Sequence, residues 1–208
     1  MIGRSFIPAF LLMLSSTGCV CPHPATPMSH HPSFPARLPV ACQTACDRLR
    51  LAPTPWLVVV RVSTQTLALY DHGRYARQFP CSTSRLGAGQ IEGSNRTPLG
   101  LHAIAEKIGA DAPPGTVFKA RQIIGHTSDP GLADAKITTR ILWLEGLDPG
   151  YNQGGNVDSH ARYIYIHGTA DQTGIGAPAS CGCIHLADPD LITLFELLPA
   201  GTMVWIEE

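Results

Sequence analysis

Charge is scarce in this chain: Asp, Glu, Lys and Arg make up only 15% of 208 residues, and the formal net charge is -1. No basic patch draws the molecule to a phosphate backbone, so no nucleic acid is expected as a partner. A Gly-rich phosphate motif, a Cys-x-x-Cys pair and internal repeats are also missing. Their absence argues against a nucleotide cofactor, a thioredoxin-like redox centre and a solenoid, and neither cofactor nor metal is expected. Apolar runs are short as well. The N-terminal one, Phe6 to Leu14, falls well below the roughly 20 residues that a helix needs to span a bilayer.

What that run does have is the right neighbours for export. Arg4 precedes it and Ser-Ser-Thr-Gly18-Cys19 follows, the charge, apolar core and small residues of a secretory signal covering residues 1–18. The Thr17-Gly18-Cys19 step is similar to a bacterial lipobox, which implies acylation of Cys19. By the same resemblance Val20 points to the outer membrane. The expectation is therefore an exported, periplasmic protein held to a membrane through an N-terminal lipid.

Residues 19–54 read as a tether with a short helix-like segment. The 18 prolines concentrate near the N-terminus, and Pro-His-Pro-Ala-Thr-Pro and His30-His31-Pro favour extended, solvated backbone. His23, His30 and His31 lie too irregularly to define a metal site. Cys42 and Cys46 sit at helical spacing, and in an oxidising compartment they would either form a local disulfide or remain separately buried or paired with other cysteines.

From residue 55 to the end the pattern changes to strands. Trp56-Leu-Val-Val-Val-Arg-Val62 is β-branched, and Asp71-His-Gly-Arg74 between two alternating runs predicts a hairpin. Further strands are expected over Leu101–Ala105, Val117–Ile124 and Ile141–Leu147. One helix is predicted from about Pro189 to Leu198, with Asp188 as N-cap and Leu191, Leu194, Phe195 and Leu198 on one face. The fold class is mostly β, sandwich-like, with that helix packed on the sheet. Turn signals crowd residues 125–160. Tyr151, Asn152 and His160 there are candidate recognition residues without an assigned role.

The informative chemistry lies near the C-terminus. Tyr-Ile-Tyr-Ile-His167-Gly168-Thr169 reads as a strand ending in an imidazole, and a Gly-rich connection leads to Ser180-Cys181-Gly182-Cys183-Ile184-His185. A nucleophilic thiol needs a base, because only a few per cent of an ordinary cysteine is ionised at neutral pH. Cys183 is thus the candidate nucleophile and His167 its base. Gly182 offers backbone N–H groups in its neighbourhood as a possible oxyanion hole.

These residues resemble the L,D-transpeptidase catalytic domain, the YkuD family. The resemblance rests on Ile-His-Gly-Thr, Ser-x-Gly-Cys-Ile, the following helix and Pro-x-Gly-Thr-x-Val strand. Upstream it includes Ser82-Thr83-Ser84, Gly87 and Thr97-Pro98-Leu99-Gly100. It implies a thioester-forming enzyme acting on peptidoglycan stem peptides, with a second stem or a protein Lys as amine acceptor. It further implies that Gly168, Thr169, Ser180 and Gly182 shape the site. Cys181 and His185 depart from the family's usual His before Gly-Cys and Arg or Asn after Cys-Ile, and they are assigned to substrate binding or modulation. The departure leaves open an L,D-carboxypeptidase or amidase that hydrolyses the same stems.

Other readings of the cluster stay on the table. His160, His167, Cys181, Cys183 and His185 offer soft and borderline ligands for zinc or copper, making a metal-binding periplasmic protein a rival. Cys181 could also form a reversible disulfide with Cys183 or Cys81.

Overall fold

The computed structural model describes residues 36–208. The signal segment, Cys19, Cys21 and the histidine-bearing spacer lie outside the described residues, as do the expectations of cleavage and lipidation.

Among the described residues, ten strands and two α-helices build the domain. In chain order they are α1 (Val40–Leu49), β1 (Trp56–Arg61), β2 (Thr66–Asp71), β3 (Arg74–Pro80), β4 (Gly100–Ile108), β5 (Thr116–Lys119), β6 (Gln122–His126), β7 (Thr138–Gly146), β8 (Tyr165–Gly168), β9 (Ile184–Leu186), α2 (Asp188–Leu197) and β10 (Met203–Glu207). The mostly β expectation is met. The strands form one mixed sheet in the order β3-β2-β1-β10-β4-β7-β5-β6, with β8 on β7 and β9 on β8. β1 lies between β2 and the parallel β10 and is buried on both faces, with Val58 and Val60 in the main core and Leu57 and Val59 in the cluster under α1, which is where a continuous β-branched run belongs.

Valines and leucines of β1, β2 and β10 share one core with Ile166 of β8, Ile184 and Leu186 of β9, and Leu191, Leu194 and Phe195 of α2. Strands far apart in sheet order therefore face one another, which gives the sandwich-like character. Each fully buried Leu or Phe stabilises this core by roughly 1.5–3 kcal/mol.

The predicted hairpin is present, with His72 and Gly73 at positive φ in its turn. Two expectations need correction. Val117–Ile124 is not one strand but the hairpin β5–β6, reversed at Ala120 and Arg121, whose φ values are 48° and 67°. Neither residue is the Gly or Asn that ordinarily marks such a turn. The N-cap of α2 is Ala187. Asp188 lies inside the first turn, and its carboxylate accepts a hydrogen bond from the Thr139 hydroxyl at 2.7 Å. Of the readings left open for Cys42 and Cys46, the structure has the separately buried one, with both as free thiols. They face the sheet from α1, among Leu57, Val59, Ala68, Tyr70, Leu101 and Met203.

Candidate active site

β8 and β9 pair in parallel with His167 opposite His185, and this pairing carries the two ends of the Gly-rich connection back to one place. The connection is held by the segment after β3. Ser82 N–H donates to the His185 carbonyl and His185 N–H to the Ser82 carbonyl, at 3.0 and 2.8 Å, while Ser180 N–H donates to the Thr83 carbonyl at 2.9 Å. The Ser-Thr-Ser motif thus clamps both sides of the cysteine turn.

Within the turn, Ser180 Oγ donates to the Cys183 carbonyl at 2.6 Å and accepts from Gly182 N–H at 3.1 Å. The Gly182 N–H is therefore used inside the loop. Its φ of 121° is a conformation that favours glycine. Thr97 donates its hydroxyl hydrogen to the Gly182 carbonyl at 3.0 Å and accepts from Ser84 N–H at the same distance. At Gly168 a side chain would collide with the Thr138 carbonyl at 2.8 Å. Thr169 follows it, buried.

Cys183 and His167 line one cavity of about 380 Å³, together with Ser180, Cys181, His185, Arg85 and Lys136. His167 is 2% exposed, and its Nδ1 lies 2.7 Å from the Gly168 carbonyl oxygen. A carbonyl can only accept, so Nδ1 carries the proton and Nε2 keeps a free lone pair. The sequence-predicted nucleophile and base are thus brought together, with the base in the tautomer that accepts a proton at Nε2.

Burial and the neighbouring His185 hold His167 down to about 3, and the bond to Gly168 opposes them only in part. His185, whose ring centroid is 4.7 Å away, is held down to about 4 by burial and by Lys136. Burial pushes the Cys183 thiol up to about 11, opposed by a backbone hydrogen bond from Tyr165 and by Arg162. At neutral pH the pair is thiol and imidazole, not thiolate and imidazolium. The thiol donates to the Tyr163 carbonyl at 3.4 Å.

Cys181 is exposed, with Arg85 Nη2 3.4 Å from its sulfur. Cys81 is a fully buried free thiol in the main core, whereas Cys181 is exposed. The metal-ligand set is not assembled either. His160 stacks on Trp143 at 4.0 Å, and among the described residues no three His, Cys, Asp or Glu side chains are grouped to hold an ion.

Asn152 is a loop anchor, its amide donating to the Leu99 and Leu101 carbonyls at 3.1 and 3.0 Å. Tyr151 borders a different cavity, beside Trp205 and Glu207. Sequence reasoning missed Arg162, which donates to the Gln90 and Arg96 carbonyls at 2.6 and 2.7 Å and so fixes the loop beside Cys183. It also missed Arg85 and Lys136. Single cations in turn-rich segments carry no periodic signal.

The L,D-transpeptidase catalytic domain model, YkuD, matches residues 55–206. A probable L,D-transpeptidase of Escherichia coli (strain K12), YcfS, is 26% identical over 149 residues, 71% of this chain; the chain spans 42% of that relative's length. Among solved structures, an L,D-transpeptidase from Mycobacterium smegmatis is 19% identical with a TM-score of 0.45, over 74% of this chain and 59% of that one. L,D-transpeptidase 3 from Mycobacterium tuberculosis, in complex with a faropenem-derived adduct, is 16% identical with a TM-score of 0.47, over 74% and 60%. Matched across most of its length from β1 to β10, the chain belongs to the L,D-transpeptidase catalytic domain family.

Proposed function

We propose that this protein is a cysteine acyltransferase of peptidoglycan stem peptides. The observation that carries the reading is the shared cavity of Cys183 and His167, with the imidazole's Nδ1–H committed to the Gly168 carbonyl and Nε2 free to accept.

Because both groups rest neutral, the thiol proton moves to His167 Nε2 as the sulfur attacks the carbonyl carbon joining the L-centre of a diamino acid to a terminal D-Ala. An S–C bond forms. As the C–N bond breaks, His167 returns the proton to the departing amine, D-Ala leaves, and a thioester remains on Cys183. An amine acceptor then attacks the thioester and gives its proton to Nε2, which passes it back to the sulfur as the S–C bond breaks. An amine from a second stem or a protein Lys gives a cross-link, and water gives trimming. The N-terminal Arg4, apolar run and Cys19 support export and lipid anchoring in the periplasm.

The test incubates purified protein with disaccharide tetrapeptides and follows products by mass spectrometry. Dimers lacking one D-Ala support the transferase, and tripeptides alone identify a hydrolase. Full turnover by Cys183→Ala overturns the covalent reading.

A further inference from the structure

We infer that Arg85 and Lys136 form a carboxylate clamp beside the nucleophile, selecting acyl donors whose leaving residue ends in a free carboxylate; this rests on the acyl-transfer reading above. The two cations approach the cavity from separate parts of the chain. Arg85 follows β3 and is tied to the cysteine turn by its own N–H, which donates to the Ser180 carbonyl at 3.1 Å. Its guanidinium lies 3.4 Å from the sulfur of Cys181, two residues from the nucleophile. Lys136 precedes β7, next to Ala135, whose carbonyl accepts from Ala170 N–H beyond His167 at 3.2 Å.

Three other arginines of the domain are spent on partners. Arg48 meets Asp148, Arg77 meets Asp190, and Arg162 meets backbone carbonyls. Among the described residues neither Arg85 nor Lys136 forms an ion pair. Two exposed cations without an ion-pair partner converge on a cavity whose imidazoles are neutral at physiological pH, and together with Arg162, whose charge also acts on Cys183, they make it electropositive. Asp171 lies close enough for its charge to act on Lys136 and His185, and its carboxylate accepts a hydrogen bond from the Thr173 hydroxyl at 2.6 Å.

Substrate geometry completes the argument. In a peptide cut before its last residue, the terminal carboxylate is three bonds from the scissile carbonyl carbon, so it must sit within a few ångström of the attacking sulfur. Arginine's planar fork binds such a group in two parallel hydrogen bonds, with Lys as a second point charge.

The experiment measures kcat/KM for a tetrapeptide ending in diamino acid–D-Ala and for its C-terminal amide, using wild type, Arg85→Gln, Lys136→Gln and Arg85→Lys. Wild type should prefer the acid about 10-fold or more, as expected for a hydrogen bond to a charged group. Either Gln variant should move the acid-to-amide ratio toward one, and Arg85→Lys should restore part of it. Both side chains are exposed, so the fold should survive. Equal wild-type turnover of acid and amide, or an unchanged ratio in both Gln variants, overturns the clamp alone. If the intact mass of wild type never shows an acyl adduct with either peptide, the acyl-transfer reading fails and takes the clamp with it.

Discussion

Two pairs of cysteines divide this molecule. Cys42 and Cys46 lie one helical turn apart on α1, both wholly buried against leucine, valine and tyrosine of the sheet. Their mutual hydrogen bond, together with burial, pushes the Cys42 thiol up. Cys181 and Cys183 are held in an irregular turn, one exposed and one half-buried, bordered by two imidazoles and two cations. The same side chain is packing material in one place and, under the proposed acyl transfer, the nucleophile in the other. What differs is whether the sulfur meets only hydrocarbon or also a base, a cavity and a charge.

The comparison is most directly broken by exchanging sulfur for a methyl group at each location. Cys183→Ala should lower turnover about 10⁴-fold or more while leaving thermal unfolding within a few degrees, since the covalent path is lost. Measured product formation within 10-fold of wild type would contradict the assignment. His167→Gln should cost about 10³-fold, within the usual range for loss of a positioned base. Because the thiol then has no acceptor, the loss should persist from pH 6 to 8.

Alkylation of the native protein sharpens the contrast. Cys181 and Cys183 should react with iodoacetamide about 10³-fold faster than Cys42, Cys46 and Cys81, which must await opening of the core. The rate at Cys183 should climb until pH approaches about 11; a plateau near neutrality would reveal a resting thiolate instead.

Stability against pH separates the regions further. His102, His167 and His185 are held at about 4, 3 and 4, against an ordinary value near 6.5 in the unfolded chain. Between pH 6.5 and about 4 the unfolded chain takes up protons that the folded rings refuse. Stability is therefore full above pH 6.5 and declines as pH falls, by about 2 kcal/mol at pH 5 for a fully buried ring such as His167. The smallest effect is at α1. Cys46→Ala should cost about 1–3 kcal/mol for its lost contacts, equally at pH 5 and 7, and leave turnover unchanged. Denaturant midpoints and tetrapeptide turnover check both halves of that statement.

Local chemistry made much of this legible. The β-branched run of β1, the His-Gly turn of the first hairpin and the apolar face of α2 each follow from residue type at short range. The Cys183 and His167 pair was readable because few other arrangements explain a strand-ending imidazole and a Gly-flanked thiol so close in sequence. The β5–β6 reversal was not, since Ala120 and Arg121 adopt left-handed backbone that the surrounding sheet imposes against their own preference. Nor was the depth to which α1 is buried, because its apolar positions are few and two of them are cysteine.

Taken alone, the order of residues determined the strand-rich class, the candidate thiol and imidazole, and the glycine that the turn requires, because these rest on covalent identity and neighbours within a few positions. Tertiary structure decided the rest. It set the imidazole tautomer through the Gly168 carbonyl, the neutral resting state through burial, and the meeting of Arg85 with Lys136 around one cavity. Those properties depend on distances between segments that sequence separates, and only the packed sheet brings them within reach of one another.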